Sequence, residues 1–296
     1  MRQIHRILCP VDISDVSRHA VAHAETLASW YQAKITALHV CNPVVIPATD
    51  FALAGKYIPQ VLSEEDVAAV RDQVARLFSS APGSQVEVLI ESGEVWKRIL
   101  ECATGLPADL IVIGTHGKGG FEHLLLGSVT EKVLRKAACP VLTVPPGSRT
   151  TAQLPFRRIL CAIDFSASSL AALEFAGHLA GQAEAQLTVL HVFEWVEEPL
   201  TTRALATPEL RQSLEHDAAA KLDQLAGGCA AGVRPASTRL GYGKPYREIL
   251  SVASDECSDL LVMGVHGRNA LDLMLFGSNT NQVIRRATCP VLTVRG

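Results

Sequence analysis

The feature that most restricts how this chain can fold is that it contains the same pattern twice. The stretch Gly114 to Thr130, GTHGKGGFEHLLLGSVT, returns at Gly264 to Thr280 as GVHGRNALDLMLFGSNT. In each copy a Gly-x-x-Gly is followed after nine residues by Gly-Ser, and the two copies are 150 positions apart at both Gly114/Gly264 and Gly127/Gly277. An apolar run precedes each copy (LIVI after Asp109, LLVM after Asp259), and each is followed by a helical segment and then by Cys-Pro-Val-Leu-Thr-Val. Strand, glycine loop and helix N-terminus together make an anion site, because unpaired N–H groups and the positive end of the helix dipole converge there. Glycines allow the close backbone approach that such a site needs. With Gly at about 7% of residues, three glycines at fixed spacing arise at roughly 3 in 10,000 positions. One match would carry little, whereas two in equivalent places point to a pair of phosphate-binding loops. Tight turns in a repeated βα unit would use the same glycines.

The repeat extends over nearly the whole chain. Arg6-Ile-Leu-Cys-Pro-Val-Asp12 answers to Arg158-Ile-Leu-Cys-Ala-Ile-Asp164, and Lys34-Ile-Thr-Ala-Leu-His-Val40 to Gln186-Leu-Thr-Val-Leu-His-Val192, each 152 positions on. Two domains follow, 1–148 and 152–296, joined by a Pro/Gly/Ser/Thr-rich linker around Pro145 to Pro155. At 296 residues the chain has the length for two ordinary domains, and 48% hydrophobic residues are ample for their cores. A net charge of −3 argues against a general nucleic-acid binder. No signal peptide or membrane span is read, and none of the eight cysteines forms a CxxC pair, so the expectation is a reduced cytoplasmic chain. Cys9 and Cys161, and Cys139 and Cys289, fall at matching places and read as small buried apolar residues.

In the first repeat, strands are expected at 6–11, 34–40, 86–90, 110–113 and 141–144, and helices at 14–31, 63–78, 94–102 and 128–137. A Pro-rich loop is expected from Asn42 to Pro59. The second repeat places helices at 166–180, 208–225, 245–253 and 278–286. Strands apolar throughout and separated by helical patterns predict a parallel sheet covered on both faces. The fold class is therefore α/β, with two tandem Rossmann-like, doubly wound domains of five parallel strands each. Ligands bind such sheets beyond the carboxyl ends of the strands, where Asp12, Val40 and Gly114 lie. Asp12 and Asp164 also suit helix N-caps, and Ser128 with Glu131 spells a capping box. His39 and His191 read as core histidines. The second repeat has Asn279 for Val129 and Asn281 for Glu131, but its three glycines are intact, so both lobes are expected to bind.

The motif Gly114-x-x-Gly117-x9-Gly127-Ser128, with Asp12 after strand one and Val40 after strand two, resembles the ATP-binding branch of the universal stress protein family. The likeness covers both repeats, in a tandem two-domain form. It implies ATP, with Mg2+, as the ligand, and an internal pseudo-dimer paired through the last strand of each domain, with a further homodimer open. By resemblance, Asp12 takes polar groups of ribose or adenine. Val40 and Ile113 form the adenine walls, and the backbones of Val11 and Val40 read the base edge. Gly114, His116 and Gly117 line the first half of the phosphate loop, while Gly127, Ser128, Val129 and Thr130 offer N–H groups and hydroxyls to phosphate. The matching positions in the second repeat are Ile163, Asp164, Val192, Met263, Gly264, His266, Gly267, Gly277, Ser278, Asn279 and Thr280. The function implied is a nucleotide-dependent stress-response module acting on an unidentified regulatory protein. No Gly-x-x-x-x-Gly-Lys-[Ser/Thr] loop is present, and fast phosphoryl transfer needs metal ligands and charge clamps. At most slow ATP hydrolysis is expected. A dedicated ATPase or nucleotidyl transferase and a nucleotide-free adaptor are the alternatives.

Overall fold

The computed structural model describes residues 4–41, 44–47, 57–60, 63–78, 85–116, 126–148, 156–194, 207–228, 236–265 and 277–296. The chain forms two compact units that part between Cys139 and Pro140. In the first unit, β1 (Arg6–Pro10), β2 (Lys34–Cys41), β5 (Val86–Ser92) and β6 (Leu110–Gly114) build a parallel sheet in the order β6-β1-β2-β5. Helices α1 (Ser17–Tyr31), α2 (Glu64–Leu77), α3 (Val95–Gly105) and α4 (Ser128–Lys136) connect its strands. Leu110, Ile111 and Val112 are at most 1% exposed, as a strand covered on both faces requires. Ala20, Val21, Ala24, Leu27 and Ala28 supply the apolar stripe by which α1 covers the sheet.

The second unit holds the second repeat: β8 (Arg158–Ile163), α5 (Ala167–Ala183), β9 (Gln186–Phe193), α6 (Pro208–Gly228), β10 (Ser237–Tyr242), α7 (Pro245–Asp255), β11 (Leu260–Gly264), α8 (Ser278–Arg286) and β12 (Val291–Val294). Its five strands are parallel in the order β10-β9-β8-β11-β12, the doubly wound arrangement expected. A sixth strand comes from the first repeat. β7 (Val141–Val144) runs antiparallel to β12, with Thr143 opposite Val291 and Val141 opposite Thr293. The Thr143 hydroxyl donates to the Val291 carbonyl at 3.0 Å and the Thr293 hydroxyl to the Val141 carbonyl at 3.2 Å, so both buried threonines are satisfied across the pair.

Several expectations are corrected. The segment read as a loop from Asn42 to Pro59 contains two short strands, β3 (Val44–Pro47) and β4 (Tyr57–Gln60), paired antiparallel. Helix α1 starts at Ser17 rather than Ser14, because residues 14–19 first make i→i+3 turns, Ser17 N to Ser14 O at 3.1 Å and Arg18 N to Asp15 O at 3.2 Å. At α2 the cap is as the sequence spells it, a Ser63–Asp66 capping box. Cys9 and Cys161 are fully buried, and burial holds the Cys9 thiol above its ordinary pKa and pushes Cys289 up to about 12. Among the described residues no helix is long and apolar enough to cross a membrane.

Candidate functional site

In both units the strand order reverses direction between the first and fourth strands of the repeat, β1 beside β6 and β8 beside β11. Chain leaves those two strand ends in opposite directions, which opens a crevice between them. Asp12 and Gly114 face across it in the first unit, Asp164 and Gly264 in the second.

The aspartate side of each crevice is built by serines that the sequence reading passed over. Oδ1 of Asp12 accepts from the Ser14 N–H at 3.1 Å and from the Ser14 and Ser17 hydroxyls at 2.5 Å each. Oδ1 of Asp164 accepts from the Ser166 N–H at 3.1 Å and the Ser166 hydroxyl at 2.5 Å, while the Ser169 hydroxyl receives the Asp164 N–H at 3.3 Å. The signal was available, since Asp-x-Ser-x-x-Ser occurs at 12–17 and again at 164–169. Neither aspartate is an N-cap: Val16 caps α1 without a side-chain bond, and the cap of α5 is Ser166. The residue after each aspartate has positive φ, 60° at Ile13 and 64° at Phe165, uncommon for side chains of this bulk. His39 Nδ1 donates to the Val11 carbonyl and His191 Nδ1 to the Ile163 carbonyl, both at 2.8 Å. Each histidine thus steadies the strand end just ahead of the aspartate. The Val11 N–H is itself bonded to the Leu38 carbonyl at 2.8 Å.

The glycine side is anchored identically in the two repeats. Gly127 N–H donates to the Thr115 carbonyl at 2.8 Å and Gly277 N–H to the Val265 carbonyl at 3.0 Å. The Thr130 hydroxyl donates to the Gly114 carbonyl at 2.8 Å and the Thr280 hydroxyl to the Gly264 carbonyl at 3.0 Å. These bonds lash the first turns of α4 and α8 to the ends of β6 and β11. Gly127 and Gly277 are the N-caps, so the N–H groups of residues 128–130 and 278–280 begin their helices with no intrahelical acceptor. A Cβ on Gly127 would sit 3.1 Å from the Thr115 carbonyl, which explains glycine there. The Ser128–Glu131 capping box does not form; Glu131 pairs instead with Arg135 at 2.9 Å. The buried hydroxyls of Thr130 and Thr280 donate their protons to backbone, so they position the helix ends. Val40 and Ile113 are buried at the ends of β2 and β6, as are Ile163 and Met263 in the second unit, where Val192 is half-buried. His116 is half-buried and its Nδ1 lies 2.9 Å from the Thr115 hydroxyl. Ser128 is exposed, and Val129 and Ser278 lie at the helix starts with Asn279. Gly117, His266 and Gly267 lie outside the described residues.

Comparison with known proteins accords with this architecture. The sequence profile of the Universal stress protein family matches residues 3–145 and again 155–295. A universal stress protein of Mycolicibacterium smegmatis is 30% identical over 308 residues, covering 98% of this chain and 96% of its own. One from Methanocaldococcus jannaschii is 36% identical over 141 residues, 47% of this chain and 81% of its own. The crystal structure of a universal stress protein from Archaeoglobus fulgidus superposes with a TM-score of 0.65 at 23% identity, covering 99% of this chain and 97% of that one.

Proposed function

The chain belongs to the universal stress protein family, and from that premise we propose that it is an adenine-nucleotide-binding regulatory module. ATP with Mg2+ is the ligand, and a conformation set by the bound nucleotide is read by a protein partner. The observation that carries this reading is the anchored helix N-terminus beside the serine-bound aspartate. First-turn N–H groups held against a strand end suit a polyphosphate, and a carboxylate one strand spacing away suits ribose hydroxyls. The same groups speak for binding rather than for turnover. Oδ1 of Asp12 already accepts three hydrogen bonds, which holds the carboxylate in place as an orienting group. Among the described residues no His, Cys, Asp and Glu cluster of three or more is placed to hold a metal ion, so Mg2+ would arrive with the nucleotide phosphates. Slow hydrolysis is compatible with this site.

The test is to denature freshly purified protein, separate the released nucleotide by anion exchange and quantify it per chain. ATP at a whole-number ratio is the expected result. Predominant ADP would favour the ATPase reading. No nucleotide, together with no calorimetric binding of added Mg·ATP, would refute the proposal and leave an adaptor.

A further inference from the structure

Each repeat sets an aromatic ring among cations where its third and fourth helices meet. In the first repeat the Trp96 ring of α3 has the Lys136 ammonium of α4 4.7 Å from its centroid, Lys132 at 5.3 Å and Lys97 at 5.5 Å. In the second, 150 positions on, the Tyr246 ring of α7 has the Arg286 guanidinium of α8 at 5.5 Å and that of Arg247 at 5.7 Å. A ring face attracts a cation, so these contacts help fasten the two helices in both repeats.

The repeats differ in how that charge is neutralised. Around Trp96, Glu94 at the N-cap of α3 pairs with Lys97 at 2.7 Å and Lys132 at 3.7 Å. Glu101 pairs with Arg98 at 2.7 Å and Glu131 with Arg135 at 2.9 Å. The positions of these three acids hold Lys244, Ser251 and Asn281 in the second repeat. Lys244, a cation at the N-cap of α7, is exposed, as are Arg247 and Arg286. Among the described residues none of the three makes an ion pair. Arg247 donates from Nε to the Tyr246 phenol oxygen at 3.0 Å, and Arg286 donates to the Gln282 side chain. Glu248, the acid in the first turn of α7, lies against Gly241 of β10, its Cγ 2.5 Å from where a Cβ would be. The Arg247 hydrogen bond, and the charges of Arg247, Lys244 and Arg286, hold the phenol below its ordinary pKa, so all three cations act on one ring. Fastening α7 to α8 does not require this excess, since the first repeat keeps ring contacts and acids together.

We propose that the α7–α8 face of the second repeat is a docking surface for an acidic segment of a partner protein, whose carboxylates pair with Lys244, Arg247 and Arg286 while its chain lies over Tyr246. The proposal rests on the regulatory reading above only in that it supplies the partner which that reading calls for. Guanidinium groups take carboxylates in a forked, two-bond geometry, and the half-buried Tyr246 ring beside them offers a flat apolar floor. A nucleic acid is the poorer fit. It needs a basic stripe that follows its backbone, whereas these cations surround a single ring on a chain of net charge −3.

Fluorescence anisotropy on the full chain tests this, with fluorescein-labelled hexaglutamate as the probe and labelled hexaglutamine and oligothymidylate as comparisons. Saturable binding of hexaglutamate that added salt weakens is expected, with none of hexaglutamine. Lys244→Glu, which installs the acid that the first repeat carries at the same place, should weaken binding about tenfold with an unchanged urea midpoint, and Arg247→Gln should act in the same direction. No saturation by about 1 mM hexaglutamate, equal binding of hexaglutamine, tighter binding of oligothymidylate, or full affinity in both variants would each overturn the inference. None of these outcomes bears on the nucleotide reading, which the nucleotide released on denaturation decides separately.

Discussion

Replacing Gly264 by alanine should cost this protein far more than the same change at Gly114, although the two glycines occupy the same place in the repeat. The new methyl at 264 would lie 2.7 to 2.9 Å from three atoms of the first turn of α5, two of them backbone. Carbon contacts are comfortable at about 3.5 Å or more, so the helix start must withdraw by roughly 0.7 Å from a corner held by Ser166 and the Phe165 ring. Overpacking of this kind costs about 1–3 kcal/mol, and the lower entropy of the unfolded alanine chain returns about 0.4–1 kcal/mol. A net loss near 1.5 kcal/mol is expected. For a unit of this size, that lowers the midpoint of thermal unfolding by roughly 3–6 °C. At Gly114 the methyl meets, among the described residues, one carbonyl at 3.2 Å, a strain of a few tenths of an ångström, and the terms nearly cancel. Hydrogen exchange resolves which unit responds: faster exchange in peptides from α5 and β11 is expected for Gly264→Ala, with the first unit unchanged. A Gly264→Ala protein as stable as the parent, or Gly114→Ala losing as much, would refute the claim that the first turn of α5 packs tightly against Gly264.

Two further outcomes follow from buried polar groups. His23 is buried in α1 with Nδ1 2.7 Å from the His19 carbonyl, and desolvation holds its pKa below the ordinary value. The unfolded chain therefore binds the proton more readily, and stability should fall as pH drops below about 6.5, by at most about 1.4 kcal/mol per pH unit. His23→Phe, which copies Phe175 of the second repeat, should flatten that fall in denaturant titrations of the first unit between pH 7 and 5; an unchanged slope would assign the acid sensitivity elsewhere. Thr143→Val removes a buried hydroxyl that donates across the β7–β12 pair, at an expected cost of about 1 kcal/mol. Thr293→Val should cost about the same, as read from urea midpoints, and a neutral result at both sites would show that these hydroxyls add nothing to the strand pair.

How far the sequence could be read depended on how local each interaction is. The parallel strands and their helices were legible because apolar runs and helical stripes are local patterns, and repetition doubled each signal. The Ser63–Asp66 box was legible for the same reason, and it formed. Ser128–Glu131 spells an equally good box and did not form, because Gly127 took the cap position and Arg135 took the glutamate. Strands β3 and β4 were hidden by Pro47 and Pro59, which demote a strand reading. The serines around Asp12 and Asp164 were in plain view, and only the expectation of an N-cap obscured them. The close packing of Ser168 on Gly264 could not be read at all, since it joins residues 96 positions apart through the docking of a helix on a strand end.

The antiparallel pairing of β7 with β12 sets a schedule for synthesis. Thr143 must wait for Val291, 148 residues further along the chain. At about 5–20 residues per second, the interval on the ribosome is roughly 7–30 s. Throughout that time a four-residue apolar strand has a free edge, the kind of surface that recruits strands from other nascent chains. Its brevity limits the hazard, and every other strand pair of the second unit closes over a shorter stretch of chain. β12 is the last strand of that unit to be made, and it brings the pairing between the two repeats with it; a chain that ends at Arg286 would have four of the five strands of its second repeat and leave β7 unpaired with β12.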